Sequence, residues 1–358
     1  MPTPSESPEP ASAAESLSGQ TLPGGWQVAE RIERPAVATG GNFSVGYRVR
    51  NSTGTVAFLK ALDFSAALKS PDPARTLEAM TAAYNFERDL LEKCRHERLT
   101  RVAVSLADGF VDVPGHSIER VPYLIFESAD RDARIHLDLV PNVDMAWRFR
   151  ALHHVATGLQ QLHSQGIAHQ DIKPSNVLVF NVGESKIADL GRAAYRGHDA
   201  PHDNFLVAGD STYAPPELLY GHVDPDWVTR RCGCDAFLLG SLVLFFMTKA
   251  SMTPAILAKL HPAHHPSAWG GGFQSILPYV RDAFEKVLVD FRKEMNQLNP
   301  AFSDELTIIV RQLCEPDPKL RGHPLTRSSL GNQFSVERYV SRFDLLARHA
   351  HYGIVRVR

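Results

Sequence analysis

The sequence predicts an α+β chain in two parts, a small strand-rich part with one helix followed by a larger, mainly helical part. Three observations carry this reading. Between Trp26 and Phe126 the chain runs in short alternating stretches, such as Val45-Gly46-Tyr47-Arg48-Val49-Arg50 and Thr55-Val56-Ala57-Phe58-Leu59-Lys60-Ala61-Leu62, separated by the turn signal Asn51-Ser52-Thr53-Gly54. A single helical stripe interrupts them. After Phe126 the apolar residues recur at helical spacing, beginning with Met145, Phe149, Leu152, Val155, Ala156, Leu159 and Leu162. With 358 residues, 44% of them hydrophobic, the chain is long enough to bury a core in each part.

The elements follow in chain order. Residues 1–25 are mostly Pro, Ser, Ala and Glu with almost no large apolar side chains, so they are expected to form a flexible tail that cannot offset its own ordering entropy. In the interrupting helix, Leu77, Met80, Tyr84, Leu91 and Cys94 share one face, and the position in phase between Tyr84 and Leu91 is Glu87. A carboxylate on a buried face is costly unless a cation meets it, so this helix predicts a buried basic partner. The stripe that begins at Met145 is ended by Gly166, which suits a left-handed cap. A hairpin follows, Val177 to Phe180 and Ser185 to Ala188, around Asn181-Val182-Gly183. From Pro215 to His349 the pattern is helical apart from a loop rich in Pro, His and Gly at 261–272. The apolar run from Phe237 to Met247 falls short of the ~20 residues a membrane span needs and reads as a core helix.

Composition narrows the function classes. The 38 basic and 40 acidic side chains leave a net charge of −2, which removes bulk electrostatics as a reason to expect nucleic acid or an anionic membrane as partner. Of four cysteines only Cys232 and Cys234 are close together. A metal site would need a second pair, and His261, His264 and His265 are a poor substitute, so reduced thiols are expected. No basic start followed by an apolar stretch opens the chain, and the expected compartment is the cytoplasm. The excess of Arg over Lys, 28 to 10, together with many Ala, suggests a GC-rich, bacterial coding genome.

The densest chemistry lies in His169-Gln170-Asp171-Ile172-Lys173-Pro174-Ser175-Asn176, followed by Asp189-Leu190-Gly191 at the end of the hairpin. Together these segments offer two carboxylates, an amide and an ammonium. Such a set suits divalent-metal phosphate chemistry, with oxygen ligands for Mg²⁺, a base near a hydroxyl and a cation for a phosphoryl group.

These residues resemble the catalytic loop and the metal-binding triplet of the protein kinase family, and the resemblance extends over residues 26–345. Ala57-Phe58-Leu59-Lys60 resembles the third strand with its nucleotide-binding lysine. Glu87 resembles the partner glutamate of the C-helix, which supplies the cation the stripe demands. Gly209-Asp210-Ser211-Thr212-Tyr213-Ala214-Pro215-Pro216-Glu217 is similar to the end of an activation segment, Asp235 to the start of the buried F-helix, and Arg321 to the arginine that pairs with Glu217. The resemblance implies a bilobal protein kinase-like fold with a small β-rich N-lobe at 26–127, a larger mainly α-helical C-lobe at 128–345, and a C-terminal extension at 346–358.

It also implies roles. Asp171 would accept or orient the proton of the attacking hydroxyl, and Lys173 would contact the γ-phosphate of ATP. Asn176 and Asp189 would hold Mg²⁺ (or Mn²⁺), and Lys60, braced by Glu87, would hold the α- and β-phosphates. Gly40, Gly41 and Phe43 belong to the phosphate loop, and Phe126-Glu127-Ser128-Ala129 resembles the adenine-binding hinge. His169, Gly191, Glu217, Asp235 and Arg321 would anchor the catalytic loop and activation segment. Lys173 points to serine and threonine hydroxyls of protein substrates, the chain itself included.

Four positions depart from the pattern. Thr39 and Ser44 replace the first and third glycines of the phosphate loop, with Gly40 and Gly46 out of register. Gln170 stands where many members have an arginine that answers an activation-loop phosphate, implying activation without that phosphate. Asp210 stands where serine/threonine kinases carry threonine. Two other readings stay open: a pseudokinase scaffold, which the complete set Lys60, Glu87, Asp171, Asn176 and Asp189 disfavours, and a kinase-fold enzyme acting on a small molecule.

Overall fold

Alternation of side chains turns the first part of the chain into a sheet, and helical stripes turn the second into a bundle. The computed structural model describes residues 12–33, 44–140, 143–181, 183–328 and 331–353. Gly40, Gly41 and Phe43 of the expected phosphate loop lie outside the described residues. The chain divides into two compact units, one formed by the residues up to Arg95 with Val104–Ser128, the other by His96–Ala103 with the chain from Ala129 onward.

The smaller unit contains β1 (Thr21–Leu22), β2 (Trp26–Arg31), β3 (Ser44–Arg50), β4 (Val56–Leu62), helix α1 (Pro73–His96, whose last residue belongs to the larger unit), β5 (Ser105–Asp112) and β6 (Arg120–Glu127). Its strands form one six-stranded sheet in the order β1-β2-β3-β4-β6-β5, every pairing antiparallel. In β4 the alternation buries Ala57, Leu59 and Ala61 on one face and leaves Phe58 and Lys60 on the other. Tyr47, Val49, Tyr123 and Ile125 complete the core beside them.

The expected tail needs correction. Residues 12–25 are folded: Ala13, Ala14, Leu17 and Leu22 are buried in the core of the sheet, and the Tyr47 hydroxyl donates to the Ala14 carbonyl at 2.7 Å. β1 pairs with β2 and extends the sheet at its edge. Two leucines and two alanines suffice here because the sheet already presents an apolar face for them to close.

The larger unit continues with β7 (Arg131–Asp132), α2 (Ala133–Leu139), α3 (Met145–Ser164), β8 (Ile167–Ala168), β9 (Val177–Phe180), β10 (Glu184–Ile187) and β11 (Ala194–Tyr195). Then come α4 (Pro216–Leu219), α5 (Gly233–Thr248), α6 (Met252–Lys259), α7 (Phe273–Leu298), α8 (Pro300–Leu313), α9 (Pro324–Arg327) and α10 (Glu337–His351). Asp144 caps α3 by accepting from the Trp147 amide, and Gly166 beyond its end takes φ 71°. β9 and β10 form the expected hairpin, one residue earlier on its second arm, with β7 on the other side of β9. A five-residue π-helical turn, Val228–Cys232, leads into α5. The helix from Val228 to Thr248 has 21 residues and a hydropathy of 1.5, longer than the apolar run alone indicates, and 89% of its most apolar window is buried inside the protein. It is a core helix of this unit. Cys94, Cys232, Cys234 and Cys314 are all buried free thiols.

Two boundaries also differ from the expected ones. The first lobe does not run unbroken to 127. Residues 96–103 join the larger unit, where the Ala103 amide donates to the Ile187 carbonyl at 2.8 Å and the Ile187 amide to the Arg101 carbonyl at 3.0 Å. At the other end, 346–351 is not an extension but the last part of α10, which buries Leu346 and Ala347.

Candidate active site

In the smaller unit, alternation in β4 points Lys60 away from the core, and the stripe of α1 turns Glu87 inward beside Tyr84, Leu90, Leu91 and Cys94. The two meet: Lys60 Nζ donates to Glu87 Oε1 at 2.8 Å and to Oε2 at 3.0 Å. The Lys60 side chain keeps 20% of its surface exposed while that of Glu87 keeps 5%. This is the buried cation that the helix stripe requires. Phe126 and Glu127 end β6, paired across from Phe58 and Ala57, and Ala129 opens the larger unit.

In the larger unit the loop that resembles the catalytic loop is built around Asp171. Its Oδ1 accepts from the Asp210 amide at 2.8 Å, and its Oδ2 accepts from Asn176 Nδ2 at 3.0 Å and lies 3.0 Å from Lys173 Nζ. Asn176 Nδ2 also donates to the Asp171 carbonyl at 2.8 Å. Burial pushes the Asp171 carboxyl above the ordinary carboxylate range, against the pull of Lys173 and the Asp210 amide. Burial opposes the Lys173 charge too, but Asp171 and Asp210 outweigh it and raise its pKa. At Asp210 the Thr212 amide and Lys173 overcome the desolvation and lower the pKa. Asp210 Oδ2 lies 3.5 Å from Lys173 Nζ, so the ammonium is shared between two carboxylates.

The loop is held from behind by Asp235 at the start of α5. Its carboxylate, fully buried, accepts from the His169 amide at 2.8 Å and the Gln170 amide at 2.7 Å. His169 Nε2 donates to the Ala188 carbonyl at 3.0 Å, which leaves Nδ1 to accept from the Asp171 amide at 3.3 Å. Gln170 and Asp189 both adopt left-handed backbone, φ 66° and 67°, a strain of the kind found where function fixes geometry. Gly209 packs tightly against this loop, since a Cβ there would stand 2.4 Å from the Gln170 carbonyl oxygen. Asp189 is followed by the short 3₁₀ turn Leu190–Arg192 that contains Gly191. Further along the same unit, Arg321 Nη1 and Nη2 donate to Glu217 at 2.7 and 2.8 Å, both groups buried.

Asn176 and Asp189 offer the oxygen chemistry a hard divalent cation requires, for with Nδ2 committed to Asp171, the amide oxygen is the Asn176 atom that would meet a cation. The residues present therefore fit the metal the motif implies.

The sequence reading did not single out His163, Asp203 or Arg231. His163 Nε2 lies 2.8 Å from Asp235 Oδ2. It sits four positions after Leu159 in the stripe of α3, a helical spacing that marks it as facing the same side. Arg231 lies four residues before Asp235, and its side chain is buried against Gln170 and Asp203. Nothing in the local pattern marks Asp203.

Comparison with known proteins shows the family. A family model of the protein kinase domain matches residues 40–327. A probable cell division protein kinase of Encephalitozoon cuniculi is 30% identical over 195 residues, 54% of this chain and 55% of that protein. A calcium/calmodulin-dependent protein kinase kinase of Caenorhabditis elegans is 31% identical over 168 residues, 45% of this chain and 30% of that protein. A probable cyclin-dependent serine/threonine-protein kinase of Dictyostelium discoideum is 30% identical over 167 residues, 45% of this chain and 12% of that protein. The chain thus spans between 12% and 55% of the length of these relatives. With the family model covering most of the sequence, the chain belongs to the protein kinase domain family.

Proposed function

We propose that the protein transfers the γ-phosphoryl group of ATP to serine and threonine hydroxyls of protein substrates, itself included, with Mg²⁺ or Mn²⁺ held by Asn176 and Asp189. The observation that carries this reading is the Asp171 carboxylate, held within 3.0 Å by Asn176 and Lys173 and oriented by the Asp210 amide. Asp171 is raised in pKa by burial, which suits a group that receives a proton from a hydroxyl during transfer. Lys173 beside it places a positive charge where phosphoryl oxygens gain negative charge. Lys60, fixed by both oxygens of Glu87, orients the nucleotide phosphates. When bound, the cation neutralises charge on the phosphates. The names of the relatives support serine and threonine as acceptors, and Asp210 adds a carboxylate beside the acceptor site that threonine would not. We place the protein in the cytoplasm.

The test is incubation with γ-labelled ATP and Mg²⁺, wild type beside Asp189→Ala, scored for label on the protein and on a generic basic substrate. Label with wild type, lost in the variant and lost on chelation of the metal, is the expected result. No label with either protein, while nucleotide still raises Tm, favours the scaffold reading instead.

A further inference from the structure

Arg231 is a buried guanidinium outside the set of residues assigned above to nucleotide and metal. Its side chain is 4% exposed. An arginine cannot shed its charge, so a buried one must be matched by an acceptor or a carboxylate. Arg231 has both. Nη2 lies 2.6 Å from Asp203 Oδ1 and 3.3 Å from the Asp203 carbonyl, and Nη1 donates to Gln170 Oε1 at 3.2 Å. Gln170 Nε2 returns a bond to the Arg231 carbonyl at 2.8 Å, and the Gln170 amide is tied to Asp235. The next residue is Asp171.

The neighbouring arginine joins the same segment, with Arg230 Nη2 donating to the Asp203 carbonyl at 2.9 Å and to the Phe205 carbonyl at 3.4 Å. Both arginines sit on the π-helical turn Val228–Cys232. Consecutive residues of an α-helix diverge by about 100°. Both arginines nevertheless reach one segment, and π turns recur at functional sites. Asp203 is itself preset, for its Oδ2 accepts from the Ala200 amide at 2.9 Å. Beside it Arg192 Nη1 lies 3.1 Å from His202 Nδ1.

We propose that Asp203, Arg231 and Gln170 form a built-in clamp between the activation segment and the catalytic loop, positioning Asp171 without an activation-segment phosphate. Asp203 supplies the negative charge that a phosphate would otherwise supply, Arg231 carries it inward, and Gln170 replaces a second guanidinium with a neutral amide that accepts from the first. The three are positioning residues that act through Asp171. The inference deepens the kinase reading and rests on it for its effect on rate.

The experiment compares phosphatase-treated wild type with Asp203→Asn and Asp203→Glu. It measures kcat, the KM for ATP, and amide hydrogen exchange across residues 200–210. The expected result is that treated wild type keeps its activity, and that Asp203→Asn loses about tenfold or more in kcat with the KM for ATP within about twofold. Asp203→Glu should restore most of the rate, and exchange across 200–210 should quicken in the Asn variant alone. A purely structural role would not show that split or that rescue. Phosphatase treatment that abolishes wild-type activity overturns the clamp, as does an Asn variant with wild-type kcat and exchange. Wild type that transfers no phosphate overturns the kinase reading, and the exchange comparison still decides the clamp: faster exchange in Asp203→Asn upholds it, unchanged exchange sinks it.

Discussion

Each unit holds a glutamate against a cation far away in sequence, and the two pairs are built for different ends. In the larger unit Arg321 is 0% exposed and Glu217 7%. Beyond both carboxylate oxygens, Arg321 donates to the carbonyls of Gly233 at 3.0 Å and Glu315 at 2.9 Å, and its guanidinium lies 5.2 Å from the centre of the Phe237 ring. In the smaller unit the Lys60 side chain remains 20% exposed, on the sheet face opposite the core. A guanidinium enclosed by acceptors ties distant segments together. An ammonium left partly open to solvent remains able to meet a phosphate. The largest effect expected from this contrast is on stability. Arg321→Met leaves Glu217 buried without its cation and should cost about 3–5 kcal/mol, read as a fall in the denaturant midpoint. Adding Glu217→Gln to Arg321→Met should recover part of that loss, because the stranded charge is then gone. If Arg321→Met melts like wild type, the pair is not the tie described.

The smaller unit should draw its stability from apolar closure. Leu17 is fully buried in the core that the sheet forms with residues 13–22. Leu17→Ala should cost about 2–4 kcal/mol in unfolding of that unit, above the change expected at Lys60. That dependence was the part of the fold least legible in the sequence. A segment of Pro, Ser, Ala and Glu shows no periodicity, and Leu17 and Leu22 acquire meaning only when β2 and β3 offer a face to receive them. Residues 96–103 were hidden for a similar reason, since their partner Ile187 lies far along the chain. By contrast Glu87 could be read directly, because a helix period with one carboxylate in phase is a local pattern with a single physical remedy. The meeting of Asp171, Lys173 and Asn176 was equally readable from their spacing. Arg231 and Asp203 were not, because their partnership depends on a π turn and a loop conformation that no spacing reveals.

The anchor of the catalytic loop predicts a pH dependence confined to the larger unit. Burial alone would keep His163 neutral, but Asp235 at 2.8 Å, with the Cys232 sulfur, reverses this and raises the pKa to about 10. A histidine whose pKa is higher folded than unfolded contributes its full stability below about pH 6.5, and that contribution fades as pH rises and is gone above about pH 10. The difference in unfolding free energy between wild type and His163→Gln should therefore shrink by on the order of 1 kcal/mol between pH 7 and 8. A difference that stays constant over that interval would mean that His163 is held neutral.

Of the two pairs, the smaller stability effect is expected at the one with the larger effect on function. Lys60→Met removes the cation from Glu87, whose side chain is 5% exposed, while the lysine side of the pair, 20% exposed, leaves room for water beside it. The cost should be about 1–2 kcal/mol, below that for Arg321→Met, which also strands the carbonyls of Gly233 and Glu315. Phosphoryl transfer should nevertheless fall by more than about a hundredfold, because orientation of the phosphates is lost while Asp171 and its neighbours remain intact. Calorimetry beside a γ-labelled ATP assay separates the two quantities. A Lys60→Met protein that unfolds as easily as Arg321→Met would erase the distinction between the pairs. One that keeps both its stability and its activity would show that the exposed ammonium does not serve the nucleotide.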